Sequence, residues 1–511
     1  MHRCLCVAEV VQLIADSAWP NRSTLLAMST TCRAFFDPAM NSLWRSLSSP
    51  TLLITVLPEH ARGATHETHL TVVRQPSEAD WLRFDMYSRR VRYLQYYFTL
   101  EDGGDGSPFP APRINWNSVL EYHPGGKLFP NLLHLTTTEH SIGDLWSLFI
   151  KPSLRFLSLD ISPGEEASVS ECLLTCATTL QICHIRNFCE QNTPSSYNIA
   201  HTVSSFQCLT QLVVGRLLPQ TLQNLSHLPA VTHLDFWLDI LDNSSQRLPF
   251  RSLQRLSVTV LTDDIMFSAL LRRITAPRLL HLNVVYATRD EFALAGGGLL
   301  QYRFPTAVYT DALLAAASTF PTLQALDVKV YADPDLVPSP QEICTASVLQ
   351  PLLALRGLLA VRLPTVPIVL TPNDIAAFAG AWPALRVLRL SDGLRHVRSS
   401  VKAPDLLPLA QCCAHLFELG LPLAIAADAG DVDGAAQVPP LGASAARVQT
   451  LRISNADIEF SPGAAVHLAC LFPDAELHAS GEAVPAFHLL KQTKRAVVEA
   501  IRRQLALRDA A

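Results

Sequence analysis

The sequence predicts an α/β fold in which a small helical module is followed by a curved stack of repeats, with a parallel sheet inside the bend and helices outside it. Three observations carry this. Leucine supplies roughly one of the 511 residues in six, while charged residues make up 17%, below the usual quarter. A short apolar pattern recurs through most of the chain. The first fifty residues lack that pattern and show helical periodicity instead. No run of 18 apolar residues occurs, so the leucine has to be buried in a long internal core rather than in a bilayer.

The recurring pattern is an apolar residue followed by others three and five places later. Its thirteen copies start at Val91, Leu132, Leu154, Leu180, Leu209, Val231, Leu253, Leu279, Leu323, Leu358, Leu385, Leu416 and Val448. From Val91 to Val448 is 357 residues over 12 intervals, a mean near 30, with individual spacings between 22 and 44. That period matches a leucine-rich repeat, slightly stretched. The end of each copy alternates as a short strand, and the stretch between copies must return along the other face.

Helical returns are visible in 371–385, where Ile375, Phe378 and Ala379 share a face, and in 404–416 and 167–180. Proline stands two residues before the motif at Pro130, Pro152, Pro229, Pro277, Pro321 and Pro383, marking a helix-to-strand corner. Gly- and Pro-rich insertions at 101–113 and 295–304 read as loops. A D-x-D-G run at Asp431, Asp433 and Gly434 lacks the acidic residues a calcium loop needs at 429 and 440, where Ala429 and Pro440 stand.

Forty basic against 45 acidic side chains give a net charge of −5. Without a basic run there is no footprint for a phosphate backbone, so a nucleic-acid partner is not expected, and neither is a membrane. The 12 cysteines are scattered without paired zinc spacing, which fits a reducing compartment, and the N-terminus shows no secretory cleavage pattern. A cytoplasmic or nuclear location follows as an expectation. The densest group, Cys172, Cys176, Cys183, His184, Cys189, His201 and Cys208, reads as core use of a small apolar residue rather than a metal site. Local signatures of nucleophilic, zinc-hydrolase and P-loop chemistry are absent, so no enzyme activity and no cofactor are expected.

Residues 1–48 read as three short helices, Glu9–Ala18, Leu25–Ala34 and Pro38–Leu47, too small to bury all their apolar side chains alone. Three motifs fall there in order: Cys6-Val7-Ala8-Glu9-Val10-Val11, Cys32-Arg33-Ala34-Phe35 and Leu43-Trp44-Arg45-Ser46-Leu47. The segment resembles an F-box, and the whole chain is similar to the F-box proteins with C-terminal leucine-rich repeats abundant in fungi. It departs from them at Ala8, where the family has proline, and at Val7, where it has leucine. Residues 80–97 resemble the joining segment of such proteins.

The resemblance implies a substrate-recruiting subunit of a ubiquitin ligase that binds a Skp-type adaptor, and through it a cullin. The adaptor contacts it implies are Val7, Val10, Leu13, Ile14, Leu26, Cys32, Arg33, Phe35, Leu43 and Trp44. The alternative is a leucine-rich scaffold whose first helices merely cap the stack. The expected organisation is 1–48 helical module, 49–84 linker helices, 85–480 repeat solenoid and 481–511 amphipathic capping helix, the last with Leu490, Val497, Ile501 and Leu505 on one face.

If motif positions i, i+3 and i+5 point inward, i+2, i+4 and i+6 line the concave face. The residues expected to meet a protein target there are Tyr93, Phe156, His233, Trp237, Arg362, Arg389 and Arg452. Phe156 and Trp237 would hold an apolar anchor, and the three arginines an acidic or phosphorylated segment.

Overall fold

The computed structural model describes residues 7–65, 69–96, 113–126, 128–137, 145–161, 165–187, 202–217, 219–238, 246–260, 265–286, 306–330, 343–392, 394, 397, 399–424, 445–454, 462–479 and 485–509. The chain divides into two compact units, Met1–Val231 and Thr232–Ala511. The division falls inside the motif copy that begins at Val231.

In the first unit, helices α1 (Ala8–Ser17), α2 (Arg22–Thr31) and α3 (Arg33–Trp44) pack around Val11, Ala15, Leu25, Ala39 and Met40. Asn21 caps α2 by accepting the Thr24 N–H at 3.1 Å. The third helix differs from its expected start at Pro38. It begins at Arg33, after an extended Cys32, and carries Pro38 buried in its second turn. The missing proline N–H would have paired with the carbonyl of Ala34, so this early position removes one helical bond.

Among the described residues, the segment expected as linker helices holds the helices Thr51–Ile54 and Glu78–Ser88 and a short 3-10 turn at Glu59–Ala61. Between them an antiparallel hairpin, Arg62–Thr65 with His69–Val72, is extended in parallel by Arg113–Ile114. The alternation that makes this hairpin is only four residues long on each side, too short to register as a period.

The main sheet of the first unit starts earlier than expected, at Ser46–Leu47. It continues in parallel through Tyr93–Tyr96, His134–Thr137, Phe156–Ile161, Ile182–Asn187 and Gln211–Arg216. Among the described residues the main sheet of the second unit runs in parallel through His233–Leu238, Arg255–Val260, His281–Tyr286, Ala325–Val330, Ala360–Leu363, Val387–Leu390, Glu418–Pro422, Thr450–Ser454 and Glu476–Ala479. Every one of the thirteen motif copies forms a strand. The first and last strands, Ser46–Leu47 and Glu476–Ala479, lie outside the motif.

The inward register holds. Leu154, Leu157 and Leu159, Leu323, Leu326 and Val328, and Val448, Leu451 and Ile453 are all 4% exposed or less. The strand also runs one inward place further than the motif, burying Ile161, Leu238, Val260, Tyr286 and Val330 at i+7. The prolines sit in tight turns. The N–H of the first motif residue reaches the carbonyl three residues back in Leu132→Phe129, Leu154→Lys151, Leu279→Ala276, Leu323→Phe320 and Leu385→Trp382, which puts proline at the second turn position, where its fixed φ belongs.

Within each unit the strands are joined at their start by a repeated device. The carbonyl at i+1 accepts two N–H groups from the next copy. Arg155 O receives Gln181 and Ile182, Gln254 O receives Leu280 and His281, and Arg386 O receives Phe417 and Glu418.

Helices return the chain as expected where the apolar spacing was clearest. Thr371 and Asp374 form a reciprocal capping box on helix Pro372–Ala381, which buries Ile375, Phe378 and Ala379. The last helix, Pro485–Asp509, buries Phe487, Leu490, Lys494 and Val498, not the face through Val497, which is half-exposed. Lys494 is the surprise: its Nζ donates to Pro473 O at 3.2 Å and Ala475 O at 2.8 Å. These carbonyls follow helix Pro462–Leu471, and burial lowers the amine to a pKa of about 8.

Candidate functional site

In the first unit the three N-terminal helices leave an apolar face uncovered. Val7 is 44% exposed, Leu13 69%, Ile14 41% and Leu26 52%. Val10, Cys32, Phe35 and Leu43 are half-buried beside them, and Arg33 is exposed. Trp19 and Phe36, which sequence spacing did not single out, are exposed as well.

Trp44 has a neighbour within the chain. Its ring stacks on Tyr87 at 4.4 Å between centroids, tying α3 to helix Glu78–Ser88. An aromatic ring at a helix end reads the same in sequence whether its neighbour is a partner or a later helix of the same chain. Behind the face, Gln12 Nε2 donates to Asp16 Oδ1 at 3.0 Å and Ser42 Oγ at 2.9 Å, Ser42 donates to Asp16 at 2.7 Å, and Arg45 pairs with Asp16 at 3.6 Å. A cleft of about 700 Å³ opens beside this network, walled by Leu82, Met86, Arg89 and Arg92.

The outward face of the first unit's sheet is aromatic. The Arg45 guanidinium lies 5.2 Å from the Tyr93 ring centroid. Tyr93 meets His134 at 5.7 Å, His134 stacks on Phe156 at 3.7 Å and 8°, and Phe156 meets His184 edge-on at 5.4 Å. Burial, and then the neighbouring His184, lower the pKa of His134, which favours the neutral ring that stacks on Phe156. Sequence reasoning placed Tyr93 and Phe156 on this face, and the structure joins them through His134.

The second unit's outward face is charged, and it corrects the expectation for two arginines. Arg389 Nε donates to Asp392 Oδ2 at 2.8 Å and lies 3.8 Å from Glu418 Oε1, while Arg452 Nε reaches Glu418 at 3.2 Å. Both guanidinium groups are thus neutralised within the sheet face. Asp392 is only 2% exposed. Burial raises its carboxyl pKa against the opposing pull of Arg389 and Arg452. It fits because the residue opposite Arg389 in the next strand is Gly420, where a Cβ would lie 2.7 Å from Asp392 Oδ2. Ser391, at a φ of 52°, turns the chain to deliver it. Its Oγ accepts from the Ile368 N–H at 2.8 Å and donates to Val366 O at 2.6 Å. The sequence hid this, because Asp392 lies beyond the strand, outside the outward-facing positions of the motif.

His233, Trp237 and Arg362 are half-exposed on this face as expected. His233 and His281 flank Arg255 in register. Burial lowers both imidazole pKa values, and Arg255 is the next cause for each.

The cysteine and histidine group disperses. Cys176 and Cys183 are fully buried, burial pushing the Cys176 thiol up to about 12. Cys183 fills the inward i+3 place while His184 next to it takes part in the outward aromatic row. Cys189 and His201 lie outside the described residues, as do Asp431, Asp433 and Gly434. Among the described residues no three His, Cys, Asp or Glu side chains converge to hold a metal ion. Nor, among them, is any helix long and apolar enough to cross a membrane.

No family model matches the sequence, and no curated protein matches it. Among solved structures the chain is similar to an internalin (InlF) from Listeria monocytogenes, with 12% identity and a TM-score of 0.37 over 70% of this chain and 82% of that one. A likeness so distant carries no weight on function. What the strands themselves show is an α/β, leucine-rich-repeat-like protein whose stacked parallel strands present two chemically different faces.

Proposed function

We propose that this chain recruits a protein target to a ubiquitin ligase, docking a Skp-type adaptor, and through it a cullin, with its N-terminal helices and holding the target on its sheet faces. The observation that supports this most is the uncovered face of Val7, Leu13, Ile14 and Leu26, next to a Cys32-Arg33-Ala34-Phe35 segment with the F-box pattern. Four large apolar side chains left in water across two short helices mark a partner surface, and buried anchors of this kind carry roughly 2 kcal/mol or more each in an interface.

Deleting residues 1–48 is a poor test, since Ser46–Leu47 is a strand of the sheet. The double variant Leu13→Asp, Leu26→Asp changes only exposed positions. It should abolish co-purification of adaptor and cullin while leaving the melting transition in place. Undiminished recovery would favour the scaffold reading, for which the Trp44–Tyr87 stack is the supporting contact.

A further inference from the structure

The last helix of the second unit and the turn before its final strand enclose a cleft of about 630 Å³, a size that suits a small molecule. One wall is the segment 473–477, and the other is the face of helix Pro485–Asp509 that carries Lys491, Lys494, Arg495 and Arg502. Most of the charge on these walls is engaged. Arg502 pairs with Asp474 at 2.7 Å, Lys491 with Glu476 at 3.6 Å and Arg503 with Glu499 at 3.0 Å. Two groups stand apart. Lys494 is 4% exposed, and Arg495 beside it is exposed, with no ion-pair partner among the described residues.

Lys494 reaches from the helix to the opposite wall, where its Nζ donates to Pro473 O at 3.2 Å and to Ala475 O at 2.8 Å. A neutral amine has two N–H bonds. Both are taken by these carbonyls, so the lone pair is held in one direction, away from them. Burial lowers the amine's pKa to about 8, and against the pull of Asp474 the charges of Arg495 and Arg502 lower it further. Near neutral pH a sizeable fraction of this amine is therefore unprotonated and nucleophilic, where an ordinary lysine is almost wholly ammonium.

We propose that this cleft binds a small carbonyl compound bearing an anionic group, which Arg495 holds while Lys494 Nζ condenses with the carbonyl carbon to form an imine. The site is independent of the ligase reading. A guanidinium fork matches a carboxylate or a phosphate group, and Arg495 has none of the neighbouring acids to itself. The condensation needs no oxidant or reductant. The nitrogen lone pair forms the new C–N bond as the carbonyl π electrons move to oxygen. That oxygen then leaves as water with the two amine protons, and C=N remains. The imine nitrogen takes one proton from solvent and so keeps an N–H for Ala475 O, while the longer bond to Pro473 O is given up.

The chain has six lysines, Lys127, Lys151, Lys329, Lys402, Lys491 and Lys494, few enough for each to be followed. The full chain is mixed at pH 8 with pyridoxal phosphate, an aldehyde carrying a phosphate, reduced with borohydride to fix any imine, and mapped by peptide mass spectrometry. Lys494 should be labelled at least about tenfold faster than the exposed Lys329 and Lys402, and unfolding in urea should abolish that preference. Arg495→Gln should slow labelling of Lys494 about fivefold or more and leave Lys329 unchanged. The aldehyde 5-deoxypyridoxal, which lacks the phosphate, should lose the same factor on the unaltered chain, a result that does not depend on how the variant folds. Lys494 labelled no faster than Lys329, a preference that survives urea, or an equal rate for the two aldehydes would each overturn the site.

Discussion

The two units use the same strand and the same inward leucines, yet they meet water differently. Of the 14 large apolar residues exposed among those described, 11 lie at or before Val231 and only Leu314, Phe417 and Leu489 lie after it. The outward row of the first unit is Tyr93, His134 and Phe156 in ring contact. The corresponding face of the second carries Arg389, Arg452, Glu418 and Asp392 bound to one another. A repeat fixes only its buried positions, so the outward ones are free to diverge, and here one unit leaves apolar and aromatic side chains in water while the other presents paired charges.

The strongest way to break this comparison is to attack what the units share. Leu157→Asp and Leu388→Asp each place an unpaired charge at a fully buried inward site and should cost on the order of 4 kcal/mol or more. If the units are separate cooperative bodies, hydrogen exchange should rise across residues before 231 in the first variant and after 232 in the second. Uniform loss of protection in both would merge them.

Smaller effects sharpen the difference. Gly420→Ala drives a methyl into the buried Asp392 carboxylate and should cost about 1–3 kcal/mol by thermal or urea unfolding, loosening Arg389 from its partner. Trp44→Ala removes the stack on Tyr87 and should cost about 1–2 kcal/mol in the first unit, a stability loss that a residue pointing only at a partner would not show.

An effect of pH is confined to the last helix. The Lys494 amine has a folded pKa of about 8 against an ordinary 10.5, so between those values the unfolded chain holds a proton that the folded chain has released. Stability therefore rises with pH across that window. The wild-type melting temperature should climb between pH 8 and 10 relative to that of Lys494→Met, and parallel curves would refute the assignment.

How far this was legible in the sequence depends on whether a residue's role is local. The i, i+3, i+5 spacing predicted the inward side chains at those three places, though not the further one at i+7, because alternation along a strand is a property of consecutive residues. The shared face of Ile375, Phe378 and Ala379 on helix Pro372–Ala381 was legible for the same reason. The hairpin at 62–72 was too short to show a period. The pairing of Arg389 with Asp392, room for which is made by Gly420 in the next strand, depends on residues that come together only when copies stack. The stack of Trp44 on Tyr87, 43 residues later, is non-local in the same way.

The two-bond carbonyl at i+1 has a consequence for how such a chain can change length. It uses main-chain atoms alone, so residues as unlike as Arg155, Leu280, Gln324 and Phe417 serve equally there. Only proline is unusable at i+1 and i+2, where it has no N–H to give, and none of the chain's 35 prolines falls on either place in any of the thirteen copies. Because the joint ignores what lies between copies, the return segment can grow from the 22 residues separating Leu132 and Leu154 to the 44 separating Leu279 and Leu323 without disturbing the strands on either side. Insertions between copies are therefore the cheap route to novelty in this chain, and a foreign peptide spliced into 287–305 should leave both flanking strands paired as they are.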